Sequence, residues 1–493
     1  MKIQFHNTLA GCIEPFEPID PPNVYMYNCG PTVYDFAHVG NFRSFMIADV
    51  LRRTLELLGF HVHQVMNLTD VGHMTDDQLA DGGGEDKMVA AAKRLKQAKK
   101  QGVAPVDNPD DPYQVAQYYI DAFIEDARLL GLKVSNEYPQ NMPRATQYID
   151  GMQEMIKKLL AAKHAYVASD GAVYYSVESF SQYGQLSGNT IDRLRSGAGG
   201  RITDEHQVVK RHPADFLLWK PDATHIMKWD SPWGAGYPNW HLECSVMATT
   251  LLGQDVIDIH MGGEDNIFPH HECEIAQTCG ATGKELFSRF WIHARHLFIN
   301  GEKMSKSKGT FYTVRDLAAK GISPVAVRME LVKAPYRMNA NLTEQGLVDS
   351  ARTVQRLRDF STDLDRRCDG AVASVDLTHP ALEAFASALA DDLNIAAAMA
   401  SLFAWIQQDH SDAAESLAVL RQMDRVLGVL DLGLVDNQEA GGDLEIAETC
   451  AAIDQARAQK EFEVADNLRQ QLVDAGYEVH TSKGGTTARK KLA

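Results

Sequence analysis

Apolar and polar positions alternate over residues 24–28, stop at Cys29-Gly30-Pro31, and then change period. From there Phe42, Phe45, Met46, Val50, Leu51, Leu55 and Leu58 recur at three- and four-residue intervals as far as Gly59. The first pattern predicts a strand, and the second predicts an amphipathic helix stopped by a left-handed glycine. Weak alternation returns over 61–67 and runs into Leu68-Thr69-Asp70, a second strand ending at a ligand pocket. This βαβ order predicts an α/β fold, a Rossmann-like doubly wound parallel sheet whose ligands gather at the carboxyl ends of the strands. His38-Val39-Gly40-Asn41 then falls at a helix N-terminus, where unsatisfied N–H groups and a partial positive charge suit phosphate oxygens. Gly40 would let a flat ligand approach the backbone, and His38 and Asn41 offer side-chain donors one turn apart. By itself, a histidine before a helix is more often an ordinary loop residue.

Periodicity predicts further helices over 113–130 and 143–160, and strands over 173–177 and 216–220 between polar, Gly-containing loops. Residues 255–260 supply a later strand of the main sheet, followed by the turn Gly262-Gly263-Glu264-Asp265, where Asp265 could accept hydrogen bonds from a ribose. Residues 290–299 read as a last strand region, and 314–319 and 324–332 as bracing helices. Apolar residues at helical spacing over 347–430 predict about four antiparallel helices, with Asp391-Asp392-Leu393-Asn394 capping the third. An acidic linker (431–442) leads to a helical hairpin over 444–458 and 461–475, then to a basic tail with Lys483, Arg489, Lys490 and Lys491. Between 71 and 112, Lys93, Arg94, Lys96, Lys99 and Lys100 mark a helical piece read as a charged surface helix. The expected division is 1–137 and 229–300 for the two halves of the sheet domain, 138–228 for a connective insertion, 301–346 for a lysine loop and its support, 347–430 for a helical bundle, and 443–493 for a small C-terminal helical region.

Composition narrows the class. A chain of 493 residues with 45% hydrophobic content can build several well-formed cores. No apolar run is long enough to span a bilayer and no apolar stretch follows a basic start, so a soluble, untargeted, cytoplasmic protein with no membrane contact is expected. Seven cysteines (Cys12, Cys29, Cys244, Cys273, Cys279, Cys368 and Cys450) are an odd number scattered widely, which fits a reducing compartment. The formal net charge of −18 argues against non-specific polyanion binding but leaves room for basic patches that position one specific RNA.

Gly301-Glu302-Lys303-Met304-Ser305-Lys306-Ser307-Lys308-Gly309 interleaves lysines with serines between glycines. Such a mobile cationic loop suits a polyphosphate leaving group, although alone it is also a common solvated loop. Together with His38-Val39-Gly40-Asn41 it resembles the KMSKS and HIGH signatures of class I aminoacyl-tRNA synthetases, with Asn41 where many members carry His. Tyr27-Asn28-Cys29-Gly30-Pro31-Thr32-Val33-Tyr34-Asp35, Trp240-His241-Leu242-Glu243-Cys244-Ser245 and Phe268-Pro269-His270-His271-Glu272-Cys273-Glu274 are similar to the cysteinyl-tRNA synthetases. The similarity runs from 14 to 430 and more loosely to the C-terminus.

That resemblance implies ATP-dependent activation of L-cysteine to cysteinyl-adenylate, followed by transfer to tRNA(Cys), by a monomer. It implies that His38 and Asn41 donate to the phosphates, that Gly40, Gly262 and Asp265 complete the nucleotide site, and that Lys303 and Lys306 hold departing pyrophosphate with Mg²⁺ bridging oxygens. Cys29, Cys244, His270 and Glu274 match the family's metal ligands, and two thiols, an imidazole and a carboxylate suit one Zn²⁺ per chain. Spacing alone makes this a weak site, because no CxxC pair exists. Cys273, three residues from His270, could replace Glu274, but most relatives carry a non-ligand there. Gly30, Thr69, Trp240 and His260 match positions lining the amino-acid pocket. A zinc in that pocket would choose a thiol over a hydroxyl by coordination, without an editing domain.

Two departures stand out. Residues 71–112 replace a shorter acidic turn, and Ala488 stands where relatives carry Trp after a Gly-Thr-Thr segment, which would remove a base-stacking platform. Two other readings remain: a cysteine ligase acting on a small amine, as in mycothiol biosynthesis, and a non-catalytic zinc-stabilised RNA-binding paralogue. The terminal helical hairpin counts against the first, and the retained phosphate-handling residues against the second.

Overall fold

The computed structural model describes residues 1–71, 86–100, 106–189, 209–304, 310–433, 444–475, 477–482 and 485–490. Lys306, the centre of the lysine loop and most of the acidic linker lie outside them.

Four parallel strands form the central sheet in the order Ser288–Ala294, Ile257–Gly263, Asn23–Asn28, His61–Met66. Both faces are covered, as an all-parallel sheet requires. Val24, Met26, Ile259 and Ile292 pack with Ile47, Leu51 and Leu55 of the helix Val39–Leu57 on one side. Tyr27, Val65 and Trp291 pack with Leu242 and Met247 on the other. The helix ends where expected, with Gly59 at φ +93°.

Between the second and third of these strands in the chain lies a separate antiparallel sheet, in the order Ala165–Val167, Val173–Tyr175, Phe216–Pro221, Gly236–Pro238. It shares a core with the helices Ile149–Ala161, His241–Leu252 and Glu272–Thr282. The helix expected from 143 starts only at Ile149, after a 3₁₀ turn Ala145–Tyr148. Asp70 draws that turn out of line by accepting from both Thr146 N (2.9 Å) and Thr146 Oγ1 (2.7 Å). The strand region expected over 290–299 is also two elements. Leu297–Ile299 leaves the central sheet and pairs with Ala340–Leu342 and Glu302–Lys303.

The helices Glu344–Cys368, Pro380–Ala390, Ile395–Ile406 and Ala413–Leu427 follow, the third capped by Asn394, which accepts from Ala397 N at 3.0 Å. The basic helix Lys87–Lys100 is not merely a charged surface element. It buries Met88, Ala91, Ala92 and Leu95 in the same core as Val115, Tyr119 and Phe123 of the helix Pro112–Leu129.

Past the helices Leu444–Ala458 and Phe462–Asp474, the expected basic tail is instead an antiparallel hairpin, Tyr477–Ser482 with Gly485–Lys490. Ala488 lies opposite Val479 and packs inward with Cys450, Ile453, Ala465 and Leu472. Position 488 in this chain is therefore part of a small core, not an exposed platform for a base. Among the described residues, no helix is long and apolar enough to cross a membrane.

Candidate active site and metal centre

A cleft of about 1050 Å³ opens at the carboxyl ends of the central strands and is lined by Cys29, Gly30, His38, Gly40, Asn41, Trp240, Asp265, Lys303 and Met304, among others. At its helix N-terminus, Asn41 N donates to His38 Nδ1 (3.2 Å) and His38 N donates to Asn41 Oδ1 (3.1 Å). This reciprocal cap satisfies two backbone donors. What the two side chains can offer an anion is therefore His38 Nε2 and the Asn41 amide nitrogen. A Cβ on Gly40 would sit 2.0 Å from Met304 Cε, so the glycine admits the start of the lysine loop against the helix end. Lys303 is exposed on the cleft wall, and Asp265 stands exposed at the rim with its carboxylate 3.6 Å from His296 Nδ1. Lys306 lies outside the described residues.

Deeper in, three distant chain segments meet. Cys29 follows the strand Asn23–Asn28, Cys244 lies in the first turns of His241–Leu252, and His270 and Glu274 flank the start of Glu272–Thr282. Ligand atoms of Cys29, His270, His271 and Glu274 all lie within 4.8 Å of one another. The expected Cys244 is not one of these four, and His271 stands in its place; Cys244 is buried nearby, close enough for Cys29 and His270 to influence its thiol. His270 Nε2 is 2.8 Å from Glu274 Oε1, yet its geometry makes no hydrogen bond, leaving a buried nitrogen unsatisfied among sulfur and oxygen ligands. Sulfur, imidazole nitrogen and carboxylate brought together in this way are the donor chemistry of a zinc site. Cys273 takes no part, since its sulfur lies 3.6 Å from Tyr183 Oη toward the insertion.

Around this cluster lie the residues expected in the amino-acid pocket, of which Gly30 and Trp240 line the cleft. Trp240 stacks flat on His270, with centroids 3.8 Å apart and planes at 3°. Thr69 is buried and donates to Glu243. Gly30 N donates to Asn67 Oδ1 at 2.8 Å, and a Cβ on Gly30 would meet Asn67 O at 1.7 Å, so only glycine fits there. Gly262 is equally constrained by His271 Cε1, 2.7 Å from where its Cβ would stand.

Residues 15–352 match the family model described as tRNA synthetases class I (C) catalytic domain. A cysteine–tRNA ligase of Salinibacter ruber is 40% identical over 98% of this chain and 97% of its own length. One of Solibacter usitatus is 39% identical over the whole of both chains. The chain belongs to the cysteine–tRNA ligase family. Solved structures share the class I fold at low identity. A Mycobacterium tuberculosis methionyl-tRNA synthetase bound by methionyl-adenylate covers 86% of this chain and 97% of its own at 15% identity, TM-score 0.52. The ternary complex of an Agrobacterium radiobacter leucyl-tRNA synthetase covers 84% of each chain at 11% identity, TM-score 0.56.

In this cysteine–tRNA ligase the cluster is supported by groups that residue spacing did not single out. His260 holds Glu274 through Nε2 and Oε2 at 2.7 Å and stacks on Trp291, so it braces a cluster carboxylate. His271 lies 3.2 Å from Cys29 Sγ through Nε2 and 2.8 Å from His293 Nε2 through Nδ1. Burial and the neighbouring imidazoles hold His271 far below its ordinary value, hence neutral. Burial opposes ionisation of Glu274 as well, but His260 and His270 overcome it and hold the carboxyl at about 2. His271 could have been suspected from its place in Pro-His-His-Glu. Glu243, a fully buried carboxylate between Leu242 and Cys244, carried a signal too, because a charge inside an apolar helix needs a partner.

Proposed function

We propose that this chain, a cysteine–tRNA ligase, activates L-cysteine with ATP and charges tRNA(Cys), as a cytoplasmic monomer, in the cleft described above. The cysteine carboxylate attacks the α-phosphorus, the bond to the β-phosphate oxygen breaks, and pyrophosphate leaves with the electron pair. The terminal ribose hydroxyl of the tRNA then attacks the acyl carbon of the adenylate and AMP departs. This chemistry asks for positioning and charge stabilisation more than for a protein base. His38 Nε2 and the Asn41 amide donate to the phosphates as charge builds, Asp265 receives the ribose, and Gly40 and Gly262 keep the backbone close. Lys303 and Lys306 take the pyrophosphate, with Mg²⁺ accompanying the nucleotide.

Cys29, Cys244, His270 and Glu274 would hold one zinc per chain, beside Gly30, Thr69, Trp240 and His260 of the amino-acid pocket. A bound zinc would supply a soft Lewis acid that accepts a thiolate in preference to a hydroxyl. The helical region over 347–430 and the C-terminal region from 443 would contact the RNA. The observation that supports the reading is the meeting of Cys29, His270 and Glu274 directly behind the cleft wall, with Cys29 itself lining the cleft that also presents His38 and Lys303. A small-amine acceptor is disfavoured because the similarity to cysteine–tRNA ligases extends over the C-terminal region as well.

The test is ATP–pyrophosphate exchange with cysteine or serine, with and without a zinc chelator, followed by charging of bulk tRNA. Cysteine should support exchange, serine should not, and chelation should abolish the cysteine signal. Equal exchange with serine would reject the thiol-selective reading.

A further inference from the structure

Tyr27 lies on the strand Asn23–Asn28, two residues before Cys29, and pairs in register with His260 of the strand Ile257–Gly263. Cys29 N still donates to Met261 O at 3.0 Å, so the pleat extends that far. Residues two apart on a strand, and neighbours in register across it, share a face of the sheet. That face carries the candidate metal cluster, because His260 Nε2 reaches Glu274 Oε2 at 2.7 Å and the Tyr27 ring stands 5.2 Å from the His260 ring. Tyr27, Cys29, Cys244 and Cys273 accordingly belong to one core.

The Tyr27 ring is wholly buried, and its hydroxyl has no hydrogen-bond partner among the described residues. A buried hydroxyl without a partner is costly, and phenylalanine would fill the same space without that cost. An acceptor that exists only when the site is loaded accounts for the oxygen. Cys244, Cys29 and Glu274 all lie close enough to act on the hydroxyl, Cys244 foremost. Glu274 already has one oxygen on His260 and the other 2.8 Å from His270 Nε2, and Cys29 Sγ is 3.2 Å from His271 Nε2. The buried Cys244 sulfur has no such contact among the described residues. A thiol sulfur accepts weakly, whereas a metal-bound cysteine is a thiolate with lone pairs to spare.

We propose that Tyr27 is a positioning residue of the metal centre, its hydroxyl donating to the Cys244 sulfur when a metal is bound there. The phenol keeps its proton. The hydrogen bond orients the ligand and draws charge from the sulfur, which leaves the metal a better acceptor for the thiolate of an incoming cysteine. The proposal rests on the metal-centre reading above, and the two can fail separately. Failure of the unaltered chain to bind zinc defeats both, whereas a difference sought between variants that do bind it concerns Tyr27 alone.

The experiment compares the full-length chain with Tyr27→Phe, which removes one oxygen and nothing else. In competition with a chromophoric chelator, Tyr27→Phe should still bind about one equivalent of zinc, but about tenfold or more weakly. With cobalt(II) in place of zinc, the sulfur-to-metal charge-transfer band should move to lower energy, because a sulfur without its hydrogen bond releases charge more readily. Tyr25→Phe is the control, since the Tyr25 ring stacks on His63, away from the cluster; it should match the unaltered chain in both measurements. Equal zinc affinity and an unmoved cobalt band in Tyr27→Phe would overturn the proposal. A raised KM for cysteine in exchange with the cysteine-free cobalt spectrum unmoved would overturn it too, and give the hydroxyl to the substrate. Weaker zinc binding in both variants with the band unmoved would make Tyr27 a packing residue only.

Discussion

Thr69 donates its hydroxyl proton to Glu243 across 2.8 Å, and the same oxygen accepts from Asn67 Nδ2 at 3.0 Å. The rotor is thereby fixed, with one lone pair beyond these two contacts. That lone pair suits the α-ammonium group of cysteine. Thr69→Val should raise KM for cysteine in the exchange assay by about tenfold or more, the scale of a hydrogen bond to a charged group, and leave KM for ATP within about twofold. Thr69→Ser, which keeps the hydroxyl, should stay close to the unaltered chain. A valine variant with unchanged KM for cysteine would remove Thr69 from the pocket.

Five side chains lie in or beside the candidate metal cluster, and a tetrahedral zinc takes four ligands. His271 already has both ring nitrogens engaged, by His293 and Cys29, whereas no contact of that kind occupies the Cys244 sulfur, the ligand expected from the family resemblance. Cys244→Ala should therefore lose the metal on dialysis, while His271→Gln should keep about one equivalent per chain. Elemental analysis of the two purified variants decides this without reference to activity. Retention by Cys244→Ala and loss by His271→Gln would exchange the two roles.

How much of this could be read from the chain depended on how each feature is encoded. The strand, loop and helix around His38 were legible because a change of period marks them, and nothing later in the chain alters that local choice. The metal cluster was legible only through resemblance, since Cys29, Cys244 and His270 come from separate segments whose spacing carries no signal. The terminal hairpin was missed for a related reason. Among its described side chains only Val479, Thr486 and Ala488 are buried, too sparse a set to display a period of two. The helix Lys87–Lys100 looked like surface because half of its buried stripe, Ala91 and Ala92, is alanine, which barely stands out against six basic residues.

Asp70 is almost completely buried, and burial raises its carboxyl from 3.8 to about 6 against the opposing hydrogen bonds from Thr146. The folded protein then binds the extra proton between about pH 4 and pH 6, so stability falls as pH rises through that window and is level above it. Asp70→Asn can keep both contacts with Thr146 and carries no charge to bury. It should be more stable than the unaltered chain at pH 7.5, by up to about 3 kcal/mol, and indistinguishable from it near pH 4. Thermal midpoints across pH 4–8 test this, and a variant equally or less stable at pH 7.5 would show that the charged carboxylate is well accommodated.

Arg328 is wholly buried where the helix behind the central sheet meets the helical region that follows it. Its Nη2 donates to Asp49 Oδ2 at 2.7 Å, its Nη1 to Leu130 O (2.9 Å) and Gly131 O (3.1 Å), and its Nε to Leu427 O (2.6 Å). The fork thus serves carbonyls at the ends of two helices, Pro112–Leu129 and Ala413–Leu427, as well as the carboxylate. Arg328→Met would remove the contacts to Leu130 O and Leu427 O, leave Gly131 O to Arg53 Nη2 (2.8 Å), and leave Asp49 with Arg53 and Lys133 N. Losing one partner of such a buried pair costs about 3–5 kcal/mol, which urea unfolding should read as an earlier transition. Arg328→Lys keeps the charge but not the fork, so it should fall between. Adding Asp49→Asn to Arg328→Met should cost less than the sum of the two single changes, because the buried charge left with one cationic partner is then gone. Strict additivity would mean that Arg328 stabilises the junction through its carbonyl contacts alone.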